Sequence, residues 1–351
     1  MATLRIVPVD SAIYSTCRMP TFFALWCVML ILYFYNALSD DARAVSRNVT
    51  FPKAFTPHNR VLGMILFYDW SQYDPLSIIL AEFLSLCESG WDVKLAIYTT
   101  VTWDMMKEYY RRRLYCYRTQ RPLEMVIYVH PANVSIGLAA VHRKLVQQEI
   151  NKHDLFVYLE ADIILKASQV SAFVFEQERL YHLLSKDSWM LQGLGFLRYC
   201  RNPLGNSNSN MRINSTLQHL LSTGQHDRYM TKHERYLEMP RLTPVCIKDQ
   251  RYINVTGNVH QAMWMMTREQ ILALVASKRC RFFDHGSLMP RTHGMIREYM
   301  SSFSIFISDY PTSCQLHKLI PYNRVFSFSV HHYICWKMLR MSSYQIGRAH
   351  V

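Results

Sequence analysis

The stretch His153-Asp154-Leu155-Phe156-Val157-Tyr158-Leu159-Glu160-Ala161-Asp162-Ile163-Ile164-Leu165 constrains the fold more than any other part of the chain. An apolar run that ends in two carboxylates and then resumes reads as a buried parallel strand. Its carboxyl end presents Glu160 and Asp162 to a crevice, where open α/β sheets hold their ligands. Strand side chains two apart face the same way, so Glu160 and Asp162 converge while Ala161 points elsewhere. Hard oxygen donors at that spacing suit Mg²⁺ or Mn²⁺, which in turn bridge the oxygens of a diphosphate. Two carboxylates of this kind also occur at solvated strand ends that merely cap the next helix. Their context decides between the two.

The preceding residues alternate between strand and helix patterns. Val61 to Tyr68 is strand-like, and Asp74-Pro75 supplies an N-cap and a first-turn proline for a helix over Leu76 to Ser89, ended by Gly90. Val93 to Tyr98 is a second strand, about Asp104 to Tyr117 a helix, Met125 to Val129 a third strand and Gly137 to Ile150 a helix. Alternation at this pitch predicts βαβ units, a mainly parallel sheet flanked by helices and right-handed crossovers. Beyond it, Ala167 to Leu184 reads as a helix, and Trp189 to Tyr199 as a strand interrupted by glycine. Asn202 to Asn214 reads as a loop, Arg251 to Thr256 and then Gly257 to Met266 as ordered apolar segments. Arg268 to Ala276 reads as a helix capped by Thr267.

The amino terminus places this domain in a cell. Thr21 to Leu38 carries no charged residue and is near the lower limit of about 17 residues for a transmembrane helix. Arg5 and Arg18 precede it and Asp40 and Asp41 follow, which orients residues 1–20 as a cytoplasmic tail and the bulk of the chain as lumenal. A cleaved signal peptide is the rival reading; the length of the run favours an uncleaved anchor. Residues 39–59, with Pro52 and Pro57, form a stem, and a single large domain is expected over 60–340. Acceptor triplets for N-glycosylation begin at Asn48, Asn133, Asn214 and Asn254. Beyond the anchor lie Cys87, Cys116, Cys200, Cys246, Cys280, Cys314 and Cys335. Their odd number leaves one free or paired between chains in an oxidising lumen, with the connectivity open. The net charge of +13 is scattered and no nucleic-acid motif accompanies it, so the anionic partners expected are a nucleotide diphosphate, acidic glycans or lipid head groups rather than nucleic acid.

From Val61 to His332 the chain resembles the nucleotide-sugar-dependent glycosyltransferases of the GT-A type. More narrowly it is similar to a eukaryotic family of Golgi-type membrane proteins. That family carries a DLFIYxEDD segment, an upstream LxxxHR helix and a downstream NxHQxxxxxTRxQL segment. The counterparts here are Asp154 to Asp162, Leu138 with His142-Arg143, and Asn258-Val259-His260-Gln261 running to Thr267-Arg268-Glu269-Gln270-Ile271. Ala161 replaces the middle acidic residue of the first motif. The resemblance implies a Rossmann-like GT-A domain in the Golgi or endoplasmic reticulum as a single-pass type II protein. It implies a nucleotide-sugar donor, a glycan or glycoprotein acceptor, and Mn²⁺ or Mg²⁺ held by Glu160 and Asp162, with His260 completing the shell or polarising the acceptor. Asp69 and Trp70, after the first strand, fall where such enzymes hold the nucleoside, and Asn258 and Gln261 are assigned to substrate. The Asn254 triplet, so close to His260, is expected to be unused.

For an enzyme that inverts configuration, the general base is a carboxylate across the sugar from the metal, and Asp284 and Glu298 are the candidates. Arg297 is a candidate for bidentate phosphate binding. His142 and Arg143 fit the family pattern without an assigned chemistry, and an ion pair on a helix surface is their simplest reading. The alternative function is a degenerate member that binds glycan or nucleotide without turnover, motivated by Ala161. The last six residues, Ile346 to Val351, match the translation of a common sequencing adapter and carry no weight in the fold or function.

Overall fold

The computed structural model describes residues 59–101, 114–131, 138–189, 191–199, 241–256, 261–277, 282–283, 304–306 and 314–332. The tail, the apolar run 21–38, the stem to residue 58, residues 104–113 of the expected helix and the Asn202 to Asn214 loop lie outside the described residues. So do the triplets at Asn48, Asn133 and Asn214. Among the described residues no helix is long and apolar enough to cross a membrane.

Strand β1 (Arg60–Phe67) is apolar after Arg60 because both of its faces are covered. Val61, Ile65 and Phe67 enter one core cluster, and Leu62, Met64 and Leu66 the other. Helix α1 (Tyr73–Glu88) packs Ile79, Leu80 and Phe83 on the first face. Gly63 permits this approach, since a Cβ there would lie 2.7 Å from Phe83 Cζ. Gly90 leaves the helix at φ 114°, a conformation that disfavours residues with a Cβ. The helix starts earlier than the Asp74-Pro75 pair predicted. A 3₁₀ turn over Trp70–Gln72 runs straight into it, so Gln72 occupies the cap position and Asp74 lies inside the first turn.

Strand β2 (Asp92–Thr99) follows, then a hairpin of β3 (Tyr115–Cys116) and β4 (Arg121–Pro122) where the end of a helix was expected. Tertiary bonds override the helical pattern at this point. Cys116 is disulfide-bonded to Cys87, and the Glu88 carboxylate accepts the amides of Tyr117 and Arg118. The Arg118 guanidinium in turn caps α1 by donating to the Cys87 and Trp91 carbonyls. Strand β5 (Glu124–Val129), helix α2 (Leu138–Glu149) and strand β6 (Leu155–Glu160) complete the alternating part.

The chain then runs through β7 (Ile163–Ile164), α3 (Ala167–Leu183) and a short α4 (Lys186–Trp189) to β8 (Gln192–Leu194) and β9 (Leu197–Tyr199). The expected single strand over Trp189 to Tyr199 is therefore a helical turn and two strands, which join different sheets. Strands β10 (Arg241–Ile247), β11 (Gln250–Thr256) and β12 (Met263–Thr267), helix α5 (Arg268–Ser277), β13 (His317–Pro321) and β14 (Ser329–His332) follow. Thr267 caps α5 as expected: its Oγ1 accepts the Gln270 amide and Gln270 Oε1 accepts the Thr267 amide.

The central sheet has the order β12-β6-β1-β2-β5, with β6, β1, β2 and β5 parallel and β12 antiparallel beside β6. From β1 the chain steps outward to β2 and β5, then returns to the other side of β1 as β6. Right-handed crossovers must then place α1 and α2 on opposite faces, and their core residues divide accordingly: Ile79 and Phe83 fall in one cluster, Leu138 and Val146 in the other. The mainly parallel expectation holds for this sheet alone. The other sheets, β10-β11-β13-β8, β7-β14-β9 and β3-β4, mix directions or are antiparallel, so the fold is α/β with mixed sheets. Glu176, fully buried on α3, fastens the second sheet by accepting from Arg179 and, at 2.6 Å, from the Tyr252 hydroxyl on β11. Burial holds that phenol well above its ordinary pKa.

Asp154 pins the amino edge of the central sheet. Its carboxylate accepts the Arg60 amide at 3.1 Å and pairs with the Arg60 and Arg268 guanidinium groups at 3.3 and 3.4 Å. Its own amide donates to Arg60 O and its carbonyl accepts the Arg268 amide. One residue thus ties the start of β1, the start of β6 and the end of β12. Beside it, a cleft of about 170 Å³ is lined by Arg60, Asp92, Lys94, Glu124, Glu149, Lys152 and His153. Its charges are paired among themselves, Lys94 with Glu124 and Glu149, and Lys152 with Glu149.

Asp154→Ala leaves two arginines without their shared partner and is expected to cost about 3 kcal/mol in urea unfolding. A loss within error would show that the pin is dispensable. His153 gives a pH signature. Burial holds its imidazole below the usual 6.5; the Glu149 carbonyl and carboxylate favour the cation, and Lys94 and Arg60 oppose it. The unfolded chain therefore takes up this proton first. Stability is complete above about pH 6.5 and falls as the pH drops toward the lowered folded value. His317 is shifted the same way by burial. His153→Gln should flatten part of the acid slope in denaturant titrations, and an unchanged slope would contradict this.

Candidate functional site

Strand order reverses at β1, and the carboxyl ends of β1 and β6 flank the reversal. This is where doubly wound sheets open a crevice for ligand. Leu66 pairs with Glu160, and Leu66 O accepts the Ala161 amide at 2.8 Å. The Glu160 amide donates to Ala262 O, and Ala262 adopts a φ of 55° at the entrance to β12. The acidic turn is therefore held from both sides, by β1 and by the segment that leads into β12.

The strand does not run through both carboxylates, as the spacing predicted. It ends at Glu160, turns at Ala161-Asp162 and resumes as β7 in another sheet, because the Ala161 amide is the last to bond to β1. Glu160 and Asp162 are 3% and 4% exposed. At that depth a carboxylate holds a cation more strongly than it would in water. Ala161 is fully buried within the same apolar cluster as Ile65, Phe173 and Phe196. Its side chain fills core, so this position gives no ligand to the crevice.

Pairing of β7 with β14 sets Ile163 opposite His332 and Ile164 opposite His331. Two histidines remote in sequence thus stand in register beside Asp162. The sequence reading missed them, since only the strand pairing joins the two segments; the His-His doublet after an apolar strand was the available signal. The two carboxylates are hard oxygen donors of the kind that suit a divalent cation. Among the described residues no three His, Cys, Asp or Glu side chains form a cation site by themselves. Mg²⁺ and its analogues routinely complete such a shell from one or two carboxylates plus substrate phosphates.

The loop after β1 is compact. Gln72 Oε1 accepts the Tyr68 amide at 2.8 Å, the Gln72 amide donates to Asp69 O, and Thr100 Oγ1 reaches Tyr68 O at 3.4 Å. Gln72, buried to 4% exposure, is a second residue that sequence reasoning missed. The loop leaves Asp69 exposed and Trp70 44% exposed, with the Trp70 ring packed against Phe67 at 5.6 Å and Tyr73 at 6.4 Å. An indole packed on one side and exposed on the other suits stacking on a planar ligand.

Gln261 is fully buried. Its Oε1 accepts the Phe196 amide at 2.7 Å and its Nε2 donates to Met263 O at 2.9 Å, so it braces the Ala262 junction. Asn258, His260, Asp284, Arg297 and Glu298 lie outside the described residues. Asn254 sits on β11, an interior strand, between Thr243 and Leu319. His142 and Arg143 are not a surface pair: they are 0% and 1% exposed. His142 Nε2 accepts from Trp264 Nε1 at 3.2 Å, so its proton sits on Nδ1 and bonds to Ala139 O at 2.7 Å. Stacked on Tyr158 at 4.0 Å, it ties α2 to β6 and β12 just below the acidic turn.

No protein-family model matches the chain, and no curated protein does. Among solved structures it is similar to a protein from Desulfovibrio desulfuricans G20 named for nucleotide-diphospho-sugar transfer, at 9% identity over 40% of this chain and 59% of that one, with a TM-score of 0.25. It is similar to S. aureus TarS at 10% identity over 42% and 23%, TM-score 0.25. It is similar to the glycosyltransferase GlyE of Streptococcus pneumoniae TIGR4 at 14% identity over 47% and 38%, TM-score 0.22. This chain spans less than two thirds of each of these proteins, and likenesses this partial do not carry a function across.

The burial of Ala161 yields a counterintuitive expectation. Ala161→Asp, which restores the third acidic residue of the motif, places a carboxylate in apolar core and should destabilise the fold by roughly 3 kcal/mol or more rather than improve the site. Equal stability with a gain in metal affinity would overturn that placement.

Proposed function

We propose that the chain is a metal-assisted glycosyltransferase that moves a sugar from a nucleotide-sugar donor to a glycan or glycoprotein acceptor. One observation carries this reading: the Leu66 to Glu160 register, which sets the exposed Asp69-Trp70 loop and the buried acidic pair on the two sides of the strand-order reversal. In this reading Trp70 stacks on the base and Asp69 accepts from the ribose. Glu160 and Asp162 hold Mn²⁺ or Mg²⁺, with a histidine from His260 or the His331-His332 pair beside them. When bound, the cation neutralises the diphosphate as the sugar's bond to it breaks. Arg297 and Asn258 contact donor, while Gln261 acts through the backbone it braces. Asp284 or Glu298 takes the proton of the acceptor hydroxyl as its oxygen bonds to the anomeric carbon and the diphosphate oxygen leaves, the order of events in an inverting enzyme.

The proposed setting is the lumen of the Golgi or endoplasmic reticulum, behind a single type II span over 21–38. All four described cysteines, Cys87, Cys116, Cys246 and Cys314, are disulfide-bonded, which supports an oxidising compartment. The alternative remains a degenerate member that binds glycan or nucleotide without turnover, motivated by Ala161, which is buried in the apolar cluster.

The test is the thermal midpoint of the full-length chain against a panel of nucleoside diphosphates with and without Mn²⁺, followed by sugar release from the matching donor. Binding to the native state raises the midpoint by mass action. The expected outcome is a metal-dependent shift for one nucleotide, lost in Asp162→Asn, with release slowed about 100-fold or more in that variant. A shift without turnover would favour the binding protein, and no shift with any nucleotide would sink the transferase.

A further inference from the structure

Alternation along β6 sends Phe156, Tyr158 and Glu160 to one face, and the first two enter the core cluster that α2 covers. On that face, two residues below Glu160, three fully buried rings meet. Tyr158 and Trp264 are register partners in the antiparallel β6-β12 pair, and the His142 imidazole from α2 touches both. Its face stacks on the Tyr158 ring at 4.0 Å and 23°, its Nε2 accepts the Trp264 indole N–H at 3.2 Å, and its Nδ1 donates to Ala139 O at 2.7 Å. A position that needed only packing would be served by leucine or phenylalanine. Here one small ring uses its face and both nitrogens, in a single tautomer. Arg143, the next residue, covers the same indole, with its guanidinium carbon 4.8 Å from the ring centre.

This group holds a strained junction. Strand β12 begins directly after Ala262, whose φ of 55° is a conformation that residues with a Cβ rarely adopt. Such a conformation persists only where its surroundings over-determine it. Gln261 supplies one restraint through the Phe196 amide and Met263 O. The Trp264 indole, held by edge and face, supplies another two residues along the chain. What depends on the junction is Glu160, because its amide donates to Ala262 O.

We propose that His142 is a positioning residue for the acidic turn. By holding the Tyr158-Trp264 pair it keeps the Ala262 carbonyl against the Glu160 amide, and so fixes the backbone from which the Glu160 carboxylate meets a divalent cation. The inference rests on the transferase reading for the cation, and on the contacts alone for the hold on the turn. Metal ligands are commonly oriented by groups that never touch the metal, and loss of such a group weakens metal binding or activity about 10- to 100-fold. The histidine of the sequence motif thereby acts on the site without touching substrate.

The test uses the full-length chain with three variants. His142→Phe keeps the stack and removes the acceptor, while His142→Gln keeps an acceptor for the indole and removes the stack. The double variant, His142→Phe with Trp264→Phe, removes acceptor and donor together, so neither is left unpaired should the single variant fail to fold. Amide hydrogen exchange in peptides covering 158–162 and 262–266 should rise about tenfold in His142→Phe and in the double variant, with β2 and β5 peptides unchanged. Mn²⁺ alone, titrated by the loss of its free electron paramagnetic resonance signal, should bind about tenfold more weakly in both, and within about threefold of wild type in His142→Gln. Unchanged exchange in 158–162, or an equal rise in every peptide, overturns the hold on the turn. Raised exchange with unchanged Mn²⁺ affinity overturns the positioning role, and a His142→Gln chain as weak as His142→Phe overturns its assignment to the indole bond. A wild-type chain that binds no Mn²⁺ defeats the cation reading of Glu160 and Asp162, and the exchange data still decide whether His142 holds the turn.

Discussion

Asp154 holds three strands by one carboxylate and two backbone groups, and the geometry at the far end of the sheet depends on it. A parallel pair can slip, and a slip by one residue would exchange the two faces of a strand. The Arg60 and Arg268 contacts fix β1 and β12 against the start of β6. Counting along those strands from the pin, Leu66 arrives opposite Glu160, and the Ala262 carbonyl arrives at the Glu160 amide. The acidic motif therefore has two ends with different duties. Its first residue sets register, and its last two acidic residues, Glu160 and Asp162, are the carboxylates that the proposed function assigns to the cation.

The same economy extends across the faces of the sheet. Because β6 returns past β1, α2 lies on the face opposite α1, and its His142-Arg143 pair reaches β12 and the Phe282 and Ser304 segments from that face. On the other face the acidic turn enters the apolar core at Ala161 and continues within it as β7, which pairs with β14. The carboxyl ends of β1 and β6 are thus flanked by elements from both halves of the chain.

The central sheet was legible because β1, β2 and β6 are largely buried on both faces and read as near-continuous apolar runs bounded by turn residues, while the half-exposed edge strand β5 keeps the apolar MVIYV pattern. The caps at Thr267 and Gly90 were legible for local reasons of the same kind. Misreadings fall where tertiary bonds overrule local pattern. Tyr115-Cys116 is helical by composition and extended by virtue of the Cys87 disulfide and the Glu88 carboxylate. The Glu160-Asp162 alternation is strand-like, yet the chain leaves the sheet between them once β1 has no further carbonyl to offer. Of the candidate residues, Glu160 and Asp162 lie buried at the carboxyl end of β6, Asp69 and Trp70 lie exposed in the loop after β1, and Gln261 braces the Ala262 junction. The Gln72 contacts and the register of His331 and His332 opposite β7 were not legible, because they arise from a loop closure and a long-range strand pairing.

The most direct test of the central claim is a crystal of the chain soaked with Mn²⁺ and the nucleoside diphosphate that stabilises it, read by anomalous scattering. The account predicts one peak between the carboxyl ends of β1 and β6, about 2.1 Å from oxygens of Glu160 and Asp162, with the base against Trp70. A metal bound elsewhere, as in the charged cleft beside Asp154, or a nucleotide that ignores the Asp69-Trp70 loop, would contradict it.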